Sequence, residues 1–249
     1  MKKTLCLLAL LLASVSTAFG THPVTPESLG PVKYEIRYKL GAINSRAAEG
    51  TITLEKSTWN GREALHSHAA ISARSIFKLF MKAEYVVDLY LTPTDVAPLY
   101  YINPFVRDGQ DGKVEFTYDR NKREIHSVAV RPPAGPVSET ISMNGNTMDL
   151  LALLQHVRFL EIPEGGSVSF NLMKSGTVIP ATLTLRGLDE KRYPGKQAER
   201  LQLKFIGGGL MENGSGSLIT VWRSADSDRR ILGLETTLSS GTMIVNIKE

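Results

Sequence analysis

Two histidines with one residue between them, His66 and His68, are a pair whose spacing can do chemistry. Residues i and i+2 of a strand share a face, so the two imidazoles can chelate zinc or copper. No third ligand stands close in sequence, although His126 can join from another strand, and a wet strand face is the plainer account of the pair. Asp226-x-Asp228 resembles the start of a calcium loop, but the glycine and closing glutamate are missing and Arg229 follows at once. A turn with local ion pairs is the expectation there. Gly214-Ser215-Gly216-Ser217 lacks the frame of a nucleophile elbow, and Gly207-Gly208-Gly209 lacks the lysine and helix start of a phosphate loop. Glu84 and Asp88 fall on one strand face, with nothing in the sequence to place them in a cleft. The expectation is a protein that is not an enzyme and uses no metal or cofactor.

The only cysteine, Cys6, lies in an uncharged run from Leu5 to Phe19 that follows Lys2 and Lys3. Ala18 and Gly20 supply small residues at the positions a signal peptidase reads, so residues 1–20 have the form of a secretory signal and are short for a membrane span. No cysteine stands at that cut, so a lipoprotein is not expected. The mature chain then has no thiol or disulfide and must bury a real core. The whole chain holds 29 Lys and Arg against 25 Asp and Glu. Removing Lys2 and Lys3 leaves an excess of two, with no basic block of the kind that binds nucleic acid. Nothing later is long and apolar enough to be a membrane helix.

The elements that would position such residues are mostly strands. Tyr34, Ile36 and Tyr38 alternate with Glu35, Arg37 and Lys39, the period-2 pattern of a half-wet sheet. Asn60-Gly61 is a hairpin turn between Thr51–Trp59 and Arg62–Ala73. Pro98 and Pro104 mark Val96–Phe105 as an edge. Further alternating runs follow to Ile247. Among them stands one helix, Asn146–Arg158, capped by Asn146 or Thr147. Its Leu150, Leu153, Leu154 and Val157 make an i, i+3, i+4, i+7 stripe, with Asp149, Ala152, Gln155 and His156 on the opposite arc. His156 should be solvated or capping locally. A helix of about a dozen residues is marginal alone, so it must lie on the sheet. The pattern predicts an all-β fold, a large curved antiparallel sheet or open β-barrel with one central helix, in a single domain over residues 21–249; two β-subdomains hinged around Pro133–Gly165 are the alternative.

The run Asp149-Leu150-Leu151-Ala152-Leu153-Leu154-Gln155-His156-Val157-Arg158 resembles the D-L-L-S-A-L-Y-x-x-R signature of an exported bacterial family, domain of unknown function 3108. Tyr34-Glu35-Ile36-Arg37-Tyr38, Gly50-Thr51-Ile52 and the segment from Trp222 to Arg230 agree with it in kind and order. Ala152 departs where serine is common, and His156 where an aromatic or polar residue is usual. The resemblance covers most of the mature chain and implies a periplasmic all-β protein of a Gram-negative-type bacterium, with no catalytic residue assigned. The nearest physical analogy is the open β-barrel with a helix lid used by envelope lipid carriers.

The sequence also carries more apolar surface than one simple layer needs. Ile76, Phe77, Leu79, Phe80 and Met81 cluster, and curved sheets of this size can enclose an apolar cavity. The functional expectation is a binding module for an apolar or amphiphilic cell-envelope molecule, with Phe77, Phe80, Leu150, Leu154 and Trp222 as ligand-binding residues. An envelope interaction or scaffold protein without a cavity, docking a partner through an edge strand or the Phe77–Phe80 patch, is the alternative.

Overall fold

The computed structural model describes residues 23–25, 29–74, 84–107, 109–174, 176–209 and 216–248. Phe77 and Phe80 lie outside them.

Among the described residues, fifteen strands and one helix follow in chain order. The first eight strands are β1 (Val32–Leu40), β2 (Ile43–Trp59), β3 (Arg62–Ala73), β4 (Glu84–Leu91), β5 (Pro98–Arg107), β6 (Gln110–Asp119), β7 (Glu124–Val130) and β8 (Pro136–Ser142). Then come β9 (Thr147–Met148), α1 (Leu150–Phe159), β10 (Ser167–Lys174), β11 (Thr177–Leu188), β12 (Ala198–Phe205), β13 (Leu218–Ser224), β14 (Ile231–Leu238) and β15 (Gly241–Lys248). All fifteen strands form one sheet. β1 and β15 pair at its middle, β2 to β8 run outward to one edge, and β14 to β9 to the other. Every pairing is antiparallel except β9 with β10, which is parallel through Asn171–Thr147 and Leu172–Met148.

This order forces curvature. β8 and β9 are the two edges of the sheet, yet only residues 143–146 separate them in the chain. Laid flat, fifteen strands at about 4.8 Å spacing would hold the edges about 67 Å apart. Five Cα steps reach no more than about 18 Å. The sheet must therefore curl until its edges approach, and side chains close the seam: Phe116, Tyr118 and Ile125 of the β6–β7 side pack with Met143 and with Met173 of β10. The result is barrel-like without a closing hydrogen-bond ladder.

Local sequence explains the turn between β2 and β3. Asn60 and Gly61 both have positive φ, 50° and 75°, as a type I′ hairpin turn requires. The prolines of β5 do not make it an edge. β5 pairs with β4 only from Pro98 to Ile102, and with β6 along its length. Pro104 lies beyond the β4 pairing, so its missing N–H removes no bond on that side.

The helix starts later than its leucine pattern suggests. Thr147 and Met148 pair with β10, and Asp149 is the N-cap, its Oδ1 accepting from Ala152 N at 3.0 Å. Asn146 instead gives its carbonyl to Asn171 N. A backbone that can join an edge ladder leaves the helix to begin at the next good capping side chain. Ala152, Leu153, Val157 and Phe159 then pack into one large core with Leu54, Leu65, Leu89, Leu91, Phe170, Leu183 and Leu201.

Candidate functional site

The helix divides into two arcs. Ala152, Leu153, His156, Val157 and Phe159 are buried against strands. Leu150, Leu151, Leu154, Gln155 and Arg158 line an apolar space between the helix and the concave face of the sheet. The predicted stripe therefore splits: Leu153 and Val157 fill the core, while Leu150 and Leu154 are only partly buried and face the space.

That space has two adjoining lobes. The smaller, about 210 Å³, is walled by Val32, Tyr34, Ile36, Ile231, Leu234, Met243 and Val245. The larger, about 460 Å³, is walled by Val87, Tyr85, Tyr101, Val114, Phe116 and Met173, with Asn103, Arg131, Asp149 and Lys174 as its polar members. Ile52, Ile71, Leu150 and Leu154 belong to both. The larger lobe alone falls in the range of about 300–1,000 Å³ that small-molecule sites occupy.

The polar residues of the helix hold it in place instead of meeting solvent. Gln155 Nε2 donates to Ser67 Oγ at 2.9 Å, and Ser67 Oγ donates to Thr53 O. Arg158 Nη1 donates to Gln155 Oε1 at 3.0 Å. His156 was expected to be solvated; it is buried, with Nδ1 2.9 Å from the Asp95 carbonyl, and burial pushes its pKa below the usual value. At the N-terminus, burial pushes the Asp149 carboxyl up to about 6 despite backbone hydrogen bonds that favour its charge, and the Tyr118 hydroxyl reaches it only at 3.4 Å. At the C-terminus Arg223, fully buried, donates through Nη1 to the carbonyls of Val157 and Leu160 and through Nε to Glu199 Oε2 at 2.7 Å. Arg229 adds a bond to Leu160 O at 3.2 Å. These cations satisfy carbonyls that a helix end leaves open and sit where its dipole favours positive charge.

Trp222 is not brought to the cavity. Strand alternation points its neighbours Val221 and Arg223 inward and Trp222 outward, where it packs with Ala198, Leu232 and Tyr193 and donates Nε1–H to Asp189 Oδ2 at 3.0 Å. Arg192 lies 5.0 Å above its ring. Leu150 and Leu154 do meet, in both lobes.

The remaining candidates sit elsewhere. His66 Nε2 and His68 Nδ1 converge on Asp88 Oδ1, at 2.9 and 2.8 Å, on the outer face. His126 is three strands beyond β4, on β7 beside Thr140. Among the described residues, no group of three or more His, Cys, Asp or Glu is arranged to hold a metal ion. Asp226 Oδ1 accepts from Ser224 Oγ and from the amides of Asp228 and Arg229, and Arg230 pairs with Asp228 at 2.8 Å, a locally tied turn. Sequence reasoning missed Arg223, Ser67 and Arg131. The signal for Arg223 was its place beside Trp222, in one of the segments the helix signature accompanies.

A sequence model of a family described as "Protein of unknown function (DUF3108)" matches residues 33–248. The chain belongs to this family. The DUF3108 helix signature and the Trp222–Arg230 segment meet in the structure, since Arg223 and Arg229 bind the carbonyls that end α1. Among solved structures, the chain is similar to the crystal structure of a beta-barrel-like protein of domain of unknown function DUF1849 from Brucella abortus. The two share 8% identity at a TM-score of 0.50, over 88% of this chain and 95% of the other. That likeness is one of fold. Nothing among the curated proteins matches. Among the described residues no helix is long and apolar enough to cross a membrane.

Proposed function

We propose that this DUF3108 protein is an exported, periplasmic binding module for an apolar or amphiphilic molecule of the cell envelope. The observation that carries the reading is the two-lobed space under α1, with Leu150 and Leu154 in the wall of both lobes. Apolar side chains left only partly covered inside a curled sheet are stabilised by an occupant that excludes water from them. The helix is clamped at both ends and along its polar arc, so the walls are preorganised for a ligand. Lys2, Lys3, the apolar run to Phe19 and the small residues at Ala18 and Gly20 support export.

Two measurements test this. Mass spectrometry of protein from the cell envelope is expected to find an N-terminus near Thr21; a full-length cytoplasmic chain would end the export reading. Native mass spectrometry after gentle extraction is expected to find a lipid-like molecule bound, and its loss from a Leu150→Asp, Leu154→Asp variant that still folds. A second reading, strand addition by an envelope partner, has one observation in its favour: β8 is an exposed edge, paired to β7 alone. Protein that carries no lipid but binds a partner through Val137–Ile141 would favour it.

A further inference from the structure

We infer that the cavity takes a single-chain amphiphile with an anionic head, its chain in the smaller lobe and its head beside Arg131 and Lys174 in the larger. This rests on the binding reading above and adds the ligand's polarity and orientation.

The two lobes differ in chemistry. In the smaller one the polar groups are turned to the protein: Tyr34 Oη donates to Ile231 O at 3.0 Å, and Gln155 links Ser67 to Arg158. What faces the space is aliphatic, including Val32, Ile36, Met243 and Val245. A polar head placed there would lose its hydration among side chains already committed to one another, whereas a hydrocarbon chain loses nothing.

The smaller lobe's cation, Arg158, is buried and bonded to Gln155, whereas the larger lobe carries Arg131 and Lys174. Arg131, in the exposed stretch just after β7, has no ion pair among the described residues. Lys174, the last residue of β10, has its ammonium placed by the Gly209 carbonyl at 2.8 Å. The two come from opposite sides of the seam where the curled sheet meets itself, so the site exists only in the folded barrel. The carboxyl in this wall, Asp149, is buried and engaged as the helix cap. Two cations against the one buried carboxylate of Asp149 leave this end of the space with an excess positive charge, which complements a carboxylate or a phosphate monoester, acceptors of charge-assisted hydrogen bonds. A neutral head gains less there, and a cationic head is repelled. Ile52, Ile71, Leu150 and Leu154 give the chain a continuous apolar path between the lobes.

The test uses delipidated mature protein and the uncharged fluorophore N-phenyl-1-naphthylamine as reporter at neutral pH. Dodecanoate, dodecyl phosphate, dodecanol and dodecyltrimethylammonium are compared as displacers. Both anions are expected to displace it about tenfold more tightly than dodecanol, the ratio one charge-assisted hydrogen bond supplies, and the ammonium least well. A preference for one anion over the other identifies the head as carboxylate or phosphate. In an Arg131→Gln, Lys174→Gln variant the anion preference should vanish while dodecanol still displaces the reporter, which also shows that the variant folds. Equal displacement by dodecanol and the anions in the wild type overturns the inference and leaves the binding reading standing. So does an anion preference that survives in the variant. Failure of every displacer, or of the reporter itself to bind, brings down the binding reading as well.

Discussion

Replacing Asp149 with Asn removes a buried charge and keeps the helix cap. Asp149 is 4% exposed, its carboxyl accepts the Ala152 amide, and burial raises its pKa from 3.8 to about 6. The unfolded chain releases this proton near its ordinary value, so between about pH 4 and pH 6 the folded chain holds a proton that the unfolded chain has lost. The contribution of this group to stability therefore falls as pH rises through that window, and the full cost is present above about pH 6. Two pKa units at about 1.4 kcal/mol each give a cost of about 3 kcal/mol. Asn caps helices as well as Asp does and carries no charge to desolvate. It gives up the attraction between a carboxylate and the helix dipole, at most about 1 kcal/mol. Urea denaturation of both proteins at several pH values isolates the effect, because other titrating groups cancel in the difference. The variant should match the wild type near pH 4 and exceed it by about 2–3 kcal/mol near pH 8. A difference that does not change with pH, or a variant that is the weaker one at pH 8, would refute the argument.

Two further expectations follow from the arcs and clamps of α1. Leu153→Ala should lower stability by about 2–5 kcal/mol, because it empties a filled core, while Leu154→Ala should cost under about 2 kcal/mol and act chiefly on ligand binding; calorimetric melting with reporter titration reads both, and equal melting losses would contradict the division of the helix. Arg223→Met should cost about 3 kcal/mol or more, since it opens the Val157 and Leu160 carbonyls and strips Glu199 of its partner. Adding Glu199→Gln should recover part of that loss in urea denaturation, and no recovery would mean that the carbonyls account for all of it.

The fold was readable because its signals are local. Period-2 alternation in Tyr34–Tyr38 and the Asn60-Gly61 turn are properties of a few adjacent residues, and both meet their expected structure. The surroundings of the helix were not readable, because they are supplied from far along the chain. Ser67 lies 88 residues from Gln155, and Arg223 lies 66 from Val157. Periodicity marks a residue as apolar or polar without saying whether its neighbour is solvent, a cavity or a buried carbonyl. That is why His156 was expected in water, and why Leu150 and Leu154 were grouped with Leu153 and Val157. Trp222 missed the cavity for a simpler reason: a strand residue points inward or outward by parity, and the parity of β13 is fixed by which neighbour reaches the helix.

The topology and the cavity have a common cause. A sheet that starts and ends at its middle strands places its two edges at the middle of the sequence, where β9 and α1 follow β8 directly. The helix is thus delivered to the place where the edges meet, inside the curl. Once there it cannot present a polar face to water, so its polar residues must find partners among the strands. Gln155, His156 and the last carbonyls do so through Ser67, Asp95 and Arg223. Those bonds set the helix's rotation about its own axis. With one arc committed to the core, the leucines at 150, 151 and 154 are left facing the concave sheet across a gap that the protein's own side chains do not fill. A filled barrel of this size would need bulkier residues where Gly50 and Ala69 stand in the lobe walls. Small residues opposite partly covered leucines keep the space open, and an open apolar space held by a buried hydrogen-bond network is an arrangement suited to an occupant.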